Sequence, residues 1–110
     1  EDVLKMANKI SGLRVFRDEL GKLSLNPVAV GGKVMLISNF VLAGRVTRGF
    51  RPDCTHAAKY DDGKRMFERI AEEIGKTLPT VTGVFGAHMD IMVHNDGPIN
   101  VIIDTRELRK

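Results

Sequence analysis

Apolar residues recur every three to four positions at the start of the chain. Val3, Met6, Ala7, Ile10 and Leu13 make one apolar face of a short helix, weakened at its end by Gly12. The period then changes. "LRVF" (13–16) reads as a strand and "RDELGK" as a turn, followed by "LSLNPVAV" (23–30), an irregular edge strand interrupted by Pro27. Gly31 and Gly32 make a second turn. "VMLISNFVL" (34–42) is apolar for nearly its whole length, the pattern of a central strand buried on both faces. Residues 43–60 form a loop rich in Gly, Arg and Pro, and loops of that length in a compact domain usually carry function. "DDGKRMFERIAEEIGKTL" (61–78) is the clearest helix. Met66, Phe67, Ile70, Ala71, Ile74 and Leu78 fall on one stripe, acidic residues gather at its start, and Pro79 ends it. "TVTGVFG" (80–86) is a broken strand, and two further strands, "HMDIMVH" and "INVIID", flank the turn "NDGP".

These elements imply one α+β domain over residues 1–110, a mainly antiparallel sheet with two helices. Two amphipathic helices and about five strands leave the sheet with open edges, which another stretch of chain or a second subunit should cover.

Composition narrows the picture only modestly. The 110 residues suffice for one core. With 17 basic against 14 acidic residues, the net charge of +3 allows a polyanionic partner without demanding one. The nearest approach to a basic cluster is "RVTRGFR", with Arg45, Arg48 and Arg51. A single cysteine, Cys54, rules out an intrachain disulfide and suits a reducing, cytoplasmic setting. No apolar run approaches membrane-spanning length, so no membrane partner is expected.

Side-chain chemistry is sparse. His56, His88 and His94 share no metal-ligand spacing, and neither a metal nor a cofactor is expected. Cys54 and His56 are close in sequence, whereas a thiol–imidazole pair is normally assembled from distant segments. Asp53, Asp61, Asp62 and the Glu72–Glu73 pair read as solvated charges. An enzyme built from this sequence would work through backbone groups, placement, or the substrate's own atoms.

Three separated segments give the chain a resemblance. "SNFVL" (38–42), "RPDCTHAA" (51–58) and "FGAHMDIMVHNDGPINVIID" (85–104), in that order, resemble D-aminoacyl-tRNA deacylase, the family first known as D-tyrosyl-tRNA deacylase. Residues 1–38 are also similar to that family's helix and following hairpin. The resemblance implies a homodimer of β-barrel-like subunits with active sites at the interface. It also implies hydrolysis of the ester joining a D-amino acid, or mischarged glycine, to the 3′ end of tRNA. Family members carry additional strands before the helix that opens here at Glu1, and without them the barrel should be incomplete.

The resemblance assigns roles residue by residue. Backbone N–H groups near Phe40 and Val41 would stabilise the oxyanion, and the terminal adenosine's 2′-hydroxyl would help to activate water. Ser38 and Asn39 would position the adenosine, with Leu42 beside them. Ala57 and Ala58 would leave room for the 3′ end, and Phe85, Ala87 and Met89 would line the pocket, although Phe85 and Met89 read equally well as core. In "NDGP", Asn95, Gly97 and Pro98 would form a chiral filter with a cis Gly–Pro bond, reaching into the partner's site and leaving no room for an L side chain. The sequence departs from the family pattern at three of these positions. Asn39 replaces a customary glutamine, Val41 a threonine, and Asn100 the closing threonine of the second motif. Because Val41 has no hydroxyl, it cannot be a nucleophile. Two rivals share the scaffold: a non-catalytic nucleic-acid-binding relative, disfavoured by the short tail "DTRELRK", and a synthetase-linked editing domain, disfavoured by the intact Gly–Pro pair.

Overall fold

A computed structural model describes residues 1–108. The first helix, α1 (Asp2–Gly12), carries Asp2 in its first turn and Lys9 in its last, each placed with the helix dipole. Two short strands follow, β1 (Phe16–Arg17) and β2 (Leu23–Leu25), paired antiparallel. Asp18 holds the turn between them. One carboxylate oxygen accepts from the N–H groups of Leu20 and Lys22 at 2.9 and 3.0 Å, and the other from Ser24 Oγ at 2.7 Å. The Ser24 hydroxyl, then the Lys22 amide, hold this carboxyl below the usual range. The edge strand expected over 23–30 stops at Leu25. Asn26 Oδ1 accepts from Ala29 N at 2.8 Å, and Pro27 O accepts from Gly32 N at 2.8 Å, so the backbone spends its hydrogen bonds on a turn.

β3 (Val34–Leu36) is the remnant of the buried strand expected over 34–42. Its continuation bends into a 3₁₀ turn, Phe40–Ala43, whose side chains face outward; Leu42 is 83% exposed. The run is not a central strand, because apolar character alone does not fix which part of a segment the fold buries. α2 (Tyr60–Gly75) starts one residue before the expected helix and ends three residues short of it. Lys76 N and Thr77 N bond back to Glu73 O and Ile74 O, tightening the exit well before Pro79. β4 (Thr80–Thr82) then pairs parallel with β3, with Val34, Met35 and Leu36 opposite Thr80, Val81 and Thr82. A parallel neighbour needs a crossover, and α2 supplies it. The expectation of a mainly antiparallel sheet is thereby corrected to one antiparallel and one parallel pair.

The core lies where α1 crosses α2. Val3, Ala7, Ile74 and Leu78 are buried, and Ile10, Val34 and Ile70 pack against the cluster that Ala7, Ile74 and Leu78 form. Met66, expected on the buried stripe, is half exposed. Ile74 is the keystone at 0% exposure; truncating such a residue to alanine typically costs about 2–5 kcal/mol.

The strands expected at 88–94 and 99–104 form no ladder among the described residues, and no closed barrel results. The alternating pattern there is genuine, but a strand needs a neighbour to bond, and these segments have none among the described residues. Their apolar residues face solvent instead, with Met92 and Ile102 almost fully exposed. The whole chain has a radius of gyration of 15.5 Å, against about 13 Å for a compact domain of this length.

Candidate active site

Three segments carry the expected site residues, and each is shaped by local hydrogen bonding. In the first, residues 38–42, Asn39 sits at the mouth of the 3₁₀ turn and caps it: its Oδ1 accepts from Val41 N at 3.1 Å. A short amide side chain two residues before an N–H makes this cap readily. Leu42 N donates to Asn39 O at 3.3 Å, and Gly44 N to Val41 O at 2.8 Å. The N–H of Phe40 has no protein acceptor among the described residues. The two backbone donors expected here are thus unequal, one open and one held by the Asn39 amide oxygen.

The second segment is the loop after this turn. Gly44 is its hinge with the turn: a Cβ there would lie 2.8 Å from Val41 O, 3.1 Å from Pro52 Cβ and 3.4 Å from Cys54 Sγ. Arg45 and Asp53 then form an antiparallel bridge with N–H···O distances of 2.9 and 2.8 Å. Asp53 also accepts from Thr55 N at 3.0 Å, which, ahead of the nearby charges of His56 and Arg45, holds its carboxyl below the ordinary value. Ala57 N donates to Cys54 O at 3.0 Å, while Ala58 is exposed. Cys54 is a partly buried free thiol beside Gly44.

In the third segment, Phe85 turns towards α2. Its ring meets Tyr60 edge-on at 5.2 Å and Phe67 at 5.6 Å, and its tip would lie 3.3 Å from a Cβ on Gly63. Met89 packs over Gly83: a Cβ there would lie 2.6 Å from Met89 Sδ and 3.2 Å from Ile37 Cδ1. Met89 is therefore held near Ile37, the residue between the end of β3 and Ser38. Ala87 is exposed, with its N–H on Val84 O at 3.2 Å.

Residues 95–98 are exposed on the surface of the chain. The Gly97-Pro98 bond is cis, as the resemblance implied. Asn95 Nδ2 donates to Asn100 Oδ1 at 2.9 Å and clasps the two ends of the loop. Asn100 is one of the departures from the family pattern, and its side-chain oxygen is what accepts here. Gly97 has φ +122, and a Cβ there would lie 2.8 Å from Ile99 N and 2.7 Å from Ile99 Cγ1, so only glycine fits. Among the described residues, no hydrogen bond joins residues 38–42 to residues 95–100.

Other features do not compete for the role. Two clefts lie against α1, one among Lys5, Asn8, Lys9, Glu107 and Leu108 and another beside Leu4, Ser11 and Thr77; neither unites a nucleophile with a base. His56, His88 and His94 are all exposed. No group of three His, Cys, Asp or Glu side chains among the described residues is placed to hold a metal ion. No helix there is long and apolar enough to cross a membrane. The Asn39 cap and the Asn95–Asn100 clasp escaped sequence reasoning. Both asparagines sit two to five residues from their partners, a spacing that hints at a turn but does not choose the acceptor.

Comparison with known proteins gives a consistent result. The profile of the family described as D-Tyr-tRNA(Tyr) deacylase matches residues 1–104. A D-aminoacyl-tRNA deacylase of Persephonella marina is 41% identical over 108 residues, which is 98% of this chain and 74% of the relative. Namesakes from Geobacter sulfurreducens and Thermotoga petrophila are 42% and 43% identical, covering 96% and 98% of this chain and 70% and 73% of their own lengths. Among solved structures, one titled c-Myc DNA Unwinding Element Binding Protein superposes with a TM-score of 0.79 at 32% identity, covering 88% of this chain and 67% of its own.

Proposed function

The chain belongs to the D-Tyr-tRNA(Tyr) deacylase family, and on that premise we propose that it hydrolyses the ester of D-aminoacyl-tRNA, releasing the free D-amino acid and tRNA. The observation that carries this reading is the match to deacylase relatives along nearly the whole chain. Removing D-amino acids, and glycine attached to the wrong tRNA, is chiral proofreading of translation, and it belongs in the cytoplasm where aminoacyl-tRNA is used.

The mechanism uses few side chains. Water attacks the ester carbonyl, assisted by the 2′-hydroxyl of the terminal adenosine. The negative charge that forms on the carbonyl oxygen is held by backbone N–H groups of the 3₁₀ turn. One such donor is typically worth about 2.7–4 kcal/mol of barrier. Phe40 N–H is open to accept this role directly. Val41 N–H joins by exchanging the neutral Asn39 Oδ1 for the oxyanion, a favourable trade because hydrogen bonds to a charged acceptor are roughly twice as strong. The intermediate collapses as the adenosine 3′-oxygen leaves with a proton. Ser38 and Asn39 lie beside these donors and position the adenosine, Leu42 flanks it, Ala57 and Ala58 leave passage for the 3′ end, and Phe85, Ala87 and Met89 border the aminoacyl site.

The chiral filter is the loop of Asn95, Gly97 and Pro98. Gly97 allows backbone to approach the substrate's α-carbon without a Cβ, so its carbonyl can meet the α-amino group while a D side chain points away. The loop is exposed and unconnected to the 3₁₀ turn by hydrogen bonds, which fits a filter delivered to the site of a second subunit. The working form is then a homodimer, with barrel-like sheet completed by partners for residues 88–94 and 99–104. The test is incubation with D-Tyr-tRNA and L-Tyr-tRNA. Release of tyrosine from the D form alone is expected; release from neither, or equally from both, would refute the reading.

A further inference from the structure

The deacylase reading uses the 3₁₀ turn and the Gly97–Pro98 loop but leaves the bridged hairpin between them without a role. Its base is the Arg45–Asp53 bridge, and its tip is residues 46–52. Arg48 and Arg51 are exposed, and neither forms an ion pair among the described residues. Phe50 between them is fully exposed at 102%, and Gly49 turns the chain with φ +68. Between Gly44 and Pro52 there is no acidic residue. An unpaired aromatic ring between two free guanidinium groups is poorly suited to water. It is well suited to single-stranded nucleic acid, where a base stacks on the ring and the cations meet flanking phosphates.

Position strengthens the assignment. The hairpin leaves directly from the 3₁₀ turn that carries the oxyanion donors, and Pro52 and Cys54 pack back on Gly44 at its root. Gly49 lies five positions after Gly44, so the tip stands no more than about 18 Å from the turn. With the terminal adenosine at the turn, that reach covers the nucleotides next to it.

We propose that Arg48, Phe50 and Arg51 form a clamp for the single-stranded 3′ end of the tRNA, with Phe50 stacking on a base and the arginines on phosphates. This assignment rests on the deacylase reading for its substrate. It explains how a site with so few polar side chains holds a large polyanion. The clamp acts on the RNA remote from the ester, so its loss weakens the use of tRNA and spares the chemistry.

The experiment compares two substrates in the full-length protein: D-Tyr-tRNA, and D-tyrosyl-adenosine, which ends before the clamp. In the Arg48→Gln/Arg51→Gln double variant, kcat/KM for D-Tyr-tRNA should fall at least about tenfold, as fits two lost phosphate contacts, and its salt dependence should flatten by about 1.4 in log–log slope. Phe50→Ala should lower it with little change in slope. Hydrolysis of D-tyrosyl-adenosine should stay at the wild-type rate in all variants. Fluorescence anisotropy with uncharged tRNA adds a readout independent of chemistry, and the double variant should bind more weakly with the same flattened slope. Unchanged tRNA kinetics and binding would overturn the clamp and leave the deacylase assignment standing. An equal loss on both substrates would also overturn it, since the hairpin would then be supporting the 3₁₀ turn. A wild-type protein inactive on both substrates would instead sink the underlying reading, and the anisotropy comparison would still decide the clamp.

Discussion

Gly97 is the residue at which backbone geometry most narrowly restricts the side chain. At φ +122, with Ile99 N 2.8 Å from where a Cβ would stand, alanine must distort the loop, and in the proposed filter it would also intrude on the substrate's α-carbon. Gly97→Ala should lower kcat/KM on D-Tyr-tRNA on the order of a hundredfold, the scale of a 1 Å misplacement. Cys54→Ala should leave the rate within about twofold of wild type, because the partly buried thiol lies at the root of the hairpin beside Gly44 and has no role in the proposed mechanism. Both are read by deacylation under single turnover, and the reverse order of effects would point to a thiol enzyme. Asn39 yields a second prediction. Glutamine carries its carbonyl one methylene farther out and cannot reproduce the short cap on Val41 N, so Asn39→Gln should free that donor. With a net hydrogen bond worth about 1 kcal/mol, the single-turnover rate should rise about fivefold. A fall would mean that the cap holds the turn in its working shape. The motif containing these residues was legible in the sequence, and the cis Gly97-Pro98 bond agreed with it. The donor taken by Asn39 was not, since a turn's hydrogen bonds depend on dihedral angles that residue types only bias.

Among the elements, the two helices were readable because their apolar spacing matches the helical period and each packs part of its stripe against the other. The short 3₁₀ turn Thr105–Glu107 shows the opposite, a structure made by one ionised side chain. Asp104 caps it, accepting from Arg106 N at 2.9 Å, while the Arg106 guanidinium donates to both carboxylate oxygens. That guanidinium, with the backbone N–H, lowers the Asp104 carboxyl from 3.8 to about 2. A depressed carboxyl contributes to the turn fully above pH 3.8, and the contribution is lost as pH falls through about 2. In a carboxyl NMR titration Asp104 should therefore have a midpoint near 2, and Arg106→Ala, which removes the guanidinium but keeps the backbone N–H, should raise it towards the ordinary range. An unshifted midpoint in the wild type would show that the fork does not persist in solution.

For the whole molecule, surface area is the telling quantity. The chain exposes 9303 Å², about 3,200 Å² more than a compact protein of 12.2 kDa should. Much of the excess is apolar, spread over the 3₁₀ turn, residues 91–93 and residues 101–102. Obligate dimers bury on the order of 1,000–2,500 Å² of each subunit, enough to cover a large part of it. Sedimentation equilibrium of the full-length protein at micromolar concentration should give twice the monomer mass, and Met92→Asp should shift the protein towards monomer. A wild-type monomer would refute the shared-site arrangement and leave the filter to act within one subunit.

The sequence alone determined what depends on local order and short motifs. Helical stripes, turn residues and the Gly97–Pro98 signature each lie within a few residues, where spacing and side-chain type decide the outcome. It also placed the chain in its family through segments that keep their order. Tertiary structure decided pairing: that β3 lies parallel to β4, that residues 34–42 break into a strand and an exposed turn, and that residues 88–104 find no strand partner among the described residues. Strand pairing is a contest between segments far apart in sequence. An apolar alternation says that a face will be buried, but which neighbour buries it is settled only when all candidates are present in space.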